Sequence, residues 1–276
     1  MAIIRPAYLV LLLTTSMAWS ALGSANIAAF NIQVLGQTKM GKPEVVDVLK
    51  QIITRYDMVL IQEIRDSAGT AIVNLLDAVN DYSRHSYAMS LGPRVGRTSS
   101  KEQYAYFYRE DMFSVKDSFT YSDSGDLFER EPYVVLFGSN TGVGDFSVIG
   151  LHSKPDDAVN ELNQMKNVYN SAVSRFGNAN SILMGDFNAD CNYVTSSEWS
   201  QISIWTDTSF EWLIPNSADT TVKSTHCAYD RIVLAGSSMK RRARSAGVFN
   251  FQSAYGLSYE LAEDVSDHYP VYFKLY

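Results

Sequence analysis

Short apolar segments that alternate with amphipathic helical segments constrain the fold of this 276-residue chain more than any other feature. Residues 25–32 and 57–63 have the composition of buried strands, and the segment 44–56 between them repeats apolar residues at helical spacing. A longer helix is predicted to follow Pro155 and to end at Gly177. Buried strands interleaved with helices predict the α/β class, with two central sheets covered by helices.

The rest of the chain continues the same alternation. One more helix is predicted at residues 71–79, and further strands are predicted at residues 103–108, 114–121, 133–137, 145–151, 181–185, 231–235 and 271–275. The order of these strands within the sheets does not follow from the pattern, because periodicity reports burial and says nothing about pairing.

The first residues have the layout of a cleavable signal peptide. Arg5 precedes the apolar run 7–13, and small residues near Gly23 predict cleavage there, within about three residues. A membrane-spanning helix needs about 20 apolar residues, so this run is too short to be one. We therefore expect residues 1–23 to be removed and residues 24–276 to be a secreted, single-domain protein without a membrane anchor.

Composition narrows the class of function. The net charge of −7 excludes a general cationic attraction to nucleic acid, which argues against a DNA-coating module. It does not argue against an enzyme that binds phosphate through metal ions and a few local arginines. In a secreted chain the two cysteines, Cys191 and Cys227, predict one disulfide, with two unpaired buried thiols as the alternative.

Polar side chains gather at the predicted strand ends, where loops present functional groups over a rigid sheet. Carboxylates and amides suit Mg²⁺, Mn²⁺ or Ca²⁺, and two histidines near acidic residues suit proton transfer at neutral pH. Each residue alone could be a turn cap or a structural histidine. Together, in this order, they point to chemistry: Asn31, Glu63, His152, Asp186, Asn188, Asp230, Asp267 and His268.

These residues stand in motifs that resemble the deoxyribonuclease I family. The motifs begin at residues 27, 59, 184, 228 and 266 and read IAAFNI, VLIQE, MGDFNADC, AYDR and SDHYP. That family belongs to a wider fold shared with exonuclease III, neutral sphingomyelinases and inositol polyphosphate phosphatases. The resemblance covers essentially all of residues 24–276. It implies a four-layer α/β sandwich, in which two mixed β-sheets pack face to face and helices lie outside.

The resemblance also implies catalytic roles. His152 would pair with Glu102 and His268 with Asp230, and we favour His268 as the base that activates water while the other pair protonates the leaving 3′-oxygen. Glu63 would hold the catalytic Mg²⁺ or Mn²⁺. The remaining residues implied to bind the metal or the scissile phosphate are Asn31, Asp186, Asn188 and Asp267.

Double-stranded DNA is the substrate that the resemblance implies, with 5′-phosphate products and weak sequence preference. Arg130 would neutralise charge on the phosphate as the transition state forms. Arg65 and Arg97 match positions that reach into the minor groove, where width matters more than sequence. Tyr193 and Tyr229 belong to the same implied set of phosphate- and DNA-binding residues.

Structural calcium sites are implied in two places. Asp219 and Thr221 match one site, although Lys223 stands among its ligand positions. The second site matches Asp123, Asp126, the carbonyl of Phe128, and Glu131. A solvated acidic loop is the alternative interpretation of the second site.

The sequence departs from mammalian members of the family at some positions. Residues 89–91 differ from the apolar edge that those members use to bind monomeric actin, so the resemblance does not predict whether this protein binds actin. The basic run 240–244 is an addition, which we expect to be a solvated loop, with polyanion binding or proteolytic clipping as alternatives.

Two other functions compete with a nuclease. A sphingomyelinase or inositol phosphatase on the same scaffold would need an apolar membrane-facing loop or a cluster of lysines, and the sequence has neither. An inactive relative that binds only actin or DNA would be expected to lack members of the two acid–histidine pairs. All four are present, so we expect an active enzyme. We also expect the enzyme to be a monomer.

Overall fold

Two six-stranded mixed β-sheets packed face to face, with helices on their outer faces, form the protein. The architecture is taken from a computed structural model that describes residues 23–276. The predicted four-layer α/β sandwich is confirmed. The predicted signal peptide lies outside the described residues, apart from its last position.

The first sheet has the strand order β11-β12-β1-β2-β4-β3, and the second has the order β5-β6-β7-β8-β10-β9. The strands are β1 (Ala25–Leu35), β2 (Met58–Ile64), β3 (Tyr87–Leu91), β4 (Gln103–Arg109), β5 (Phe113–Thr120), β6 (Tyr133–Ser139), β7 (Phe146–Gly150), β8 (Ser181–Asp186), β9 (Phe210–Trp212), β10 (Asp230–Ala235), β11 (Ala243–Val248) and β12 (Val271–Leu275).

Helices cover both outer faces of the sandwich. They are α1 (Gln37–Met40), α2 (Pro43–Ile53), α3 (Thr70–Tyr82), α4 (Ala158–Phe176), α5 (Ser203–Thr206), α6 (Ser237–Arg242), α7 (Phe251–Tyr255) and α8 (Tyr259–Val265), with single 3₁₀ turns at Pro155–Asp157 and Trp199–Gln201. As predicted, α4 ends at Gly177, whose φ of 64° is left-handed backbone that favours glycine. No helix within residues 23–276 is long and apolar enough to cross a membrane.

Alternation along each strand divides the apolar core into layers. In β1, Ile27 and Ala29 face the second sheet, whereas Ala28 and Phe30 face the helices outside the first sheet. All four side chains are fully buried. This two-residue period fixes which face each neighbouring polar residue meets, because a slip of one residue would exchange the faces.

Strand direction brings the predicted site residues to one edge of the sandwich. β1 and β2 run parallel, as do β7 and β8, so their carboxyl ends meet at that edge. β10 runs antiparallel to β8, with Asp230 opposite Asp186, so the amino end of β10 joins them. The amino end of β12, which follows His268, lies beside the end of β1.

Three strands that the sequence pattern did not predict are β3, β9 and β11. The predicted disulfide between Cys191 and Cys227 is confirmed. It closes the loops that follow β8 and precede β10, next to the edge where the site residues gather.

Candidate active site

The end of β1 is bent so that the Asn31 side chain contacts Glu63 at the end of β2. Gln33 and Val34 have φ values of 44° and 52°, and Glu63 has 59°. The backbone N–H of Gln33 donates to Asn31 Oδ1 at 3.0 Å, and that of Val34 donates to Glu63 Oε2 at 3.1 Å. Left-handed backbone at non-glycine residues costs about 1–3 kcal/mol each, and these hydrogen bonds help to hold it.

Asn31 joins the two sheets at the site. Its Nδ2 donates to Glu63 Oε1 at 3.1 Å and to Asp186 Oδ2 at 3.2 Å. A single amide group thus lies between two carboxylates, one from each sheet. Asn31 and Asp186 are buried, and only 12% of the Glu63 side chain is exposed.

His152 and His268 each form a pair with a buried carboxylate. His152 Nδ1 lies 2.8 Å from Glu102 Oε2, and His268 Nδ1 lies 2.7 Å from Asp230 Oδ2. The Nε2 atoms of the two rings then face the same carboxylate. They lie 3.5 Å and 3.6 Å from Asp186 Oδ2.

Two arginines surround the carboxylate of the first pair. Arg65 donates to Glu102 Oε1 from Nη2 at 2.7 Å and from Nε at 3.1 Å, and its Nη2 lies 3.3 Å from Glu63 Oε2. Arg130 Nε lies 3.1 Å from Glu102 Oε2, and its Nη1 donates to the carbonyl of His152. The sequence did not predict that Arg65 contacts Glu102, and 31% of the Arg65 side chain remains exposed.

Burial and neighbouring charges shift the pKa values of both pairs. Burial opposes the charged form of Glu102, but His152, Arg130 and Arg65 outweigh it and lower the pKa of Glu102 to about 2. Burial also opposes the charged form of His268. The charges of Asp230 and Asp186 outweigh it and raise the pKa of His268 to about 10.

The carboxylates at the centre of the site fit a divalent cation. Asp186, Asp230 and His268 each offer a ligand atom within 4.8 Å of the others, although the pairing of His268 with Asp230 occupies Nδ1. Asp267 Oδ1 is buried and has no hydrogen-bond partner within residues 23–276. A cation would compensate this orphaned oxygen and the close approach of Glu63 and Asp186 to Asn31.

Gln62 holds the two sheets in register at the site; it stands in the VLIQE motif, but no role was predicted for it. Its Nε2 donates to the carbonyl of Leu151 at 2.7 Å, and its Oε1 accepts from the backbone N–H of Asp186 at 2.8 Å. Gly185 makes this contact possible, because a Cβ there would lie 2.7 Å from Gln62 Nε2 and 2.3 Å from the Leu151 carbonyl. Gln62 therefore positions both Asp186 and the strand end before His152.

Two further charged residues that the sequence did not predict support the site, the half-buried Lys39 and the fully buried Glu161. Lys39 donates from Nζ to the carbonyls of Ile32 at 2.6 Å and Val265 at 2.7 Å, which ties the end of β1 to the loop carrying Asp267. Glu161 accepts the backbone N–H of Glu129 at 2.9 Å and so anchors the segment that carries Arg130. Burial raises the pKa of Glu161 to about 7.

The remaining predicted phosphate- and DNA-binding residues lie around the same edge. Asn188 donates from Nδ2 to the carbonyl of Ser153 at 3.0 Å and follows Asp186 on left-handed backbone, with a φ of 46°. The rings of Tyr193 and Tyr229 lie 5.3 Å apart, and the Tyr229 ring lies 6.4 Å from that of His268. These contacts place both tyrosines next to the second acid–histidine pair.

Arg97 does not join the cluster around Asp186. Its Nε lies 2.8 Å from Asp126 Oδ1, and its Nη1 lies 3.7 Å from Glu129 Oε2. It therefore crosses from the loop before β4 to the loop before β6. About a third of its side chain is exposed.

The predicted calcium residues are only partly brought together. Thr221 donates from both its backbone N–H and its hydroxyl to Asp219 Oδ1, at 3.1 Å and 2.9 Å. In the second predicted site, Asp123 Oδ2 accepts the backbone N–H of Phe128 at 2.7 Å, and Oδ1 is buried without a hydrogen-bond partner among the described residues. The acidic side chains predicted to bind calcium are Asp123, Asp126, Glu131 and Asp219. Within the described residues, no three of them lie as close together as Asp186, Asp230 and His268 do.

A fully buried arginine holds the loops on either side of the disulfide. Arg231 donates to the carbonyls of Ala228 and Ala189 at 2.6 Å each and to that of Ile214 at 2.8 Å. Burial lowers the pKa of Arg231 to about 10. Three carbonyl acceptors satisfy the buried guanidinium, which fixes the backbone on both sides of the Asp186–Asp230 strand pair.

Comparisons with known proteins agree with this geometry. The Endonuclease/Exonuclease/phosphatase family matches residues 28–268. Deoxyribonuclease-1 of Oryctolagus cuniculus is 46% identical over 275 residues, which cover 97% of this chain and 98% of that protein. Deoxyribonuclease-1 of Homo sapiens is 48% identical over 256 residues, which cover 90% of this chain and 91% of that protein.

Solved structures with low sequence identity share the fold. An endonuclease/exonuclease/phosphatase family protein from Bacteroides thetaiotaomicron has a TM-score of 0.64 at 16% identity, covering 92% of this chain and 98% of its own. Zebrafish (D. rerio) TDP2, complexed with a single strand DNA product, has a TM-score of 0.64 at 14% identity, covering 92% of this chain and 99% of its own. The family match over residues 28–268 and the deoxyribonuclease-1 relatives show that the chain belongs to the endonuclease/exonuclease/phosphatase family and, within it, to the deoxyribonuclease I family.

Proposed function

We propose that this protein is a divalent-metal-dependent endonuclease that hydrolyses phosphodiester bonds in double-stranded DNA and leaves 5′-phosphate products. The relatives that carry the name deoxyribonuclease-1 cover almost the whole chain at 46–48% identity. The observation that carries the mechanism is that two acid–histidine pairs direct their free Nε2 atoms at one carboxylate, Asp186.

This arrangement suits an in-line displacement at one phosphate. His268 would accept a proton from the attacking water at Nε2, while the new bond forms between the water oxygen and phosphorus. His152 would donate a proton from Nε2 to the 3′-oxygen as its bond to phosphorus breaks. Asp230 and Glu102 would hold the rings through Nδ1, so each Nε2 is directed at the reacting group.

A divalent cation would be held by Glu63, Asp186 and Asp267, with the amides of Asn31 and Asn188 binding the cation or the phosphate. When bound, it would supply positive charge to a phosphate oxygen, for which we propose Mg²⁺ or Mn²⁺. It would also offset the Asp186 charge, which raises the pKa of His268, and so bring that histidine closer to the range of a general base.

Arginines and tyrosines at the same edge would bind the DNA backbone. Arg130 is held by Glu102 and by the carbonyl of His152, so its charge stays beside the site where the phosphate would carry developing negative charge. Arg65, Arg97, Tyr193 and Tyr229 are proposed to contact the duplex in its minor groove. For Arg65 this requires that DNA compete with Glu102 for its guanidinium.

Calcium, localisation and assembly complete the proposal. Asp219 with Thr221, and Asp123 with Asp126, the Phe128 carbonyl and Glu131, are proposed to bind structural Ca²⁺. The second site is supported by Asp123 Oδ1, which is buried and has no hydrogen-bond partner within residues 23–276. Residues 1–23 are proposed as a cleaved signal peptide and residues 24–276 as a secreted, single-domain, monomeric enzyme, for which the disulfide is supporting evidence.

Supercoiled plasmid DNA is the substrate for the decisive assay, incubated with Mg²⁺ and Ca²⁺, with and without excess chelator. We expect nicked and then linear DNA with the ions, and no cleavage in the chelator. Sphingomyelin and inositol polyphosphates serve as control substrates, which should release no product. Cleavage that persists after dialysis against chelator, or hydrolysis of a control substrate in place of DNA, would contradict the proposal.

A further inference from the structure

Five basic side chains cluster at the end of the sandwich opposite the active site. Four belong to α6 and the start of β11, and the fifth belongs to β12, where it is the register partner of Arg244. We name this group the distal basic cluster; it contains Lys240, Arg241, Arg242, Arg244 and Lys274.

Topology separates the cluster from the active site. β10 begins at Asp230 in the active site and ends at Ala235, directly before α6. β12 begins just after His268 and ends at Leu275, beside the cluster. Six strand residues span roughly 17–20 Å, so a phosphate bound at one end of these strands does not reach the other.

The arginines of the cluster bind backbone oxygens instead of acidic side chains. Arg242 Nη1 donates to the backbone oxygen of Tyr276 at 3.4 Å, and Arg244 Nη1 donates to the carbonyl of Ala243 at 2.6 Å. Both Arg241 and Arg244 are exposed. Their guanidinium groups therefore present unused N–H donors to the solvent.

Several other exposed cations of the protein differ in this respect. Lys116, Lys166 and Arg175 each form an ion pair with an aspartate, at 2.6 Å, 2.7 Å and 2.9 Å. Ion pairs of this kind involve many of the lysines and arginines within residues 23–276, in a chain of net charge −7. The distal basic cluster is therefore a local concentration of positive charge on a protein of negative net charge.

The arginines also line a cleft. Arg241, Arg242, Arg244, Ser245 and Tyr276 enclose an open volume of about 550 Å³. The guanidinium of Arg242 lies against the turn at Gly142, where it occupies the space that a Cβ would need. Three guanidinium forks around one cleft match the oxygens of phosphate groups, which arginine binds in bidentate fashion.

We propose that the distal basic cluster is a second binding site for the phosphate backbone of duplex DNA. The inference rests on the proposed function, because a DNA substrate is a polymer long enough to reach both ends of the protein. A second segment of the same molecule, bound at the cluster, would keep the enzyme near its substrate between cleavage events. Long DNA would gain affinity in this way and short duplexes would not.

Steady-state kinetics on two substrates test the proposal. A plasmid-length linear duplex can occupy both sites, whereas a duplex of about two helical turns, roughly 20 base pairs, can occupy only one. In the Arg241→Gln/Arg242→Gln/Arg244→Gln variant, we expect KM for the long duplex to rise about 5- to 20-fold at low salt. For the short duplex, kcat and KM should stay at the wild-type values.

Salt dependence provides a second readout. Each phosphate contact adds roughly 0.9 to the slope of log affinity against log salt, so the variant should lose about two to three from its slope on long DNA. A matched control variant, Lys116→Gln/Lys166→Gln/Arg175→Gln, removes the same charge from paired positions and should behave like wild type. The variant Arg241→Gln/Arg244→Gln leaves the packed Arg242 in place and serves if the triple variant unfolds.

The outcomes are distinguishable. Equal KM values for wild type and the variant on long DNA would overturn the second site while leaving the proposed function intact. An equal rise for the control variant would reduce the effect to net charge and also overturn it. Loss of heparin binding without any change on DNA would assign the cluster to a sulfated polysaccharide instead. Failure of the wild type to cleave either duplex would contradict the proposed function itself.

Discussion

The two acid–histidine pairs have similar geometry but different surroundings. Glu102 lies between two arginines, Arg65 and Arg130, in addition to its histidine. Asp230 is fully buried, and His268 is the one cation paired with it among the described residues. Asp230 Oδ1 has no hydrogen-bond partner within residues 23–276.

This difference separates two ways of fixing a catalytic histidine. The carboxylate of the first pair stays ionised through several charges, so its ionisation does not depend on the histidine alone. In the second pair, the carboxylate and the imidazolium stabilise each other in a buried environment, where loss of either partner leaves the other uncompensated. The first pair should therefore tolerate changes that the second does not.

The largest expected effect is on catalysis, where the two pairs should be alike. His152→Ala and His268→Ala should each lower kcat about 10²- to 10⁴-fold, because each removes a general acid or base. Plasmid nicking under single-turnover conditions measures the loss. His85→Ala is the matched control, since that side chain is about half exposed and contacts Asp111 outside the site. A folded site variant that keeps more than about a tenth of the wild-type rate would remove that histidine from the mechanism.

Stability should separate the pairs. His268→Ala leaves the buried Asp230 carboxylate without a cation and should lower the free energy of unfolding by about 3–5 kcal/mol. His152→Ala should cost less, because Arg65 and Arg130 still compensate Glu102. Urea unfolding at neutral pH, in chelator, gives both values. The double variant His268→Ala/Asp230→Asn should recover part of the loss, and equal losses for the two single variants would contradict the comparison.

Acid should weaken the fold through the first pair. The pKa of Glu102 is lowered from 4.5 to about 2 in the folded protein, so its contribution to stability is full above pH 4.5 and is lost as the pH falls from 4.5 to about 2. The contribution is roughly 3 kcal/mol. The Glu102→Gln variant should be less stable than wild type above pH 4.5, and the difference between their free energies of unfolding should shrink over that window. The exposed Glu110→Gln is the control, and a deficit constant from pH 5 to pH 2 would contradict the assigned pKa.

The smallest effect should come from one arginine of the first pair. Arg65→Ala removes one of the two arginines near Glu102, so the pKa of Glu102 should rise part of the way toward its ordinary value while Arg130 remains. The acid limb of the stability curve should move to higher pH by less than in Arg130→Ala. The exposed Arg84→Ala provides the baseline. If the acid limb of the stability curve did not move, Arg65 would contribute nothing to the lowered pKa of Glu102.

The sequence predicted the buried strands and missed β3, β9 and β11. All three are edge strands. An edge strand pairs on one side only, so it can stay partly exposed and lacks a continuous apolar run. In β11, residues from Arg244 to Ala246 are exposed, which is why the segment resembled a solvated basic loop.

The site residues at strand ends were predictable because the chain keeps them in short motifs next to apolar runs. Asn31, Asp186 and His268 are examples, and their motifs resemble a known family. The contacts of Gln62 and Lys39 were not predictable, although Gln62 stands in one of those motifs. Their partners come from other elements, such as the Leu151 carbonyl of the second sheet, and a contact between distant segments leaves no local pattern.

A bridging phosphorothiolate substrate tests most directly whether His152 acts as the general acid and His268 as the general base. In this duplex sulfur replaces the 3′-oxygen at the cleaved bond, so the leaving group departs as a thiolate and needs no general acid. We expect His152→Ala to regain most of the wild-type cleavage rate on this substrate, and His268→Ala to stay impaired. Rescue of His268→Ala instead, or rescue of neither variant, would contradict the account.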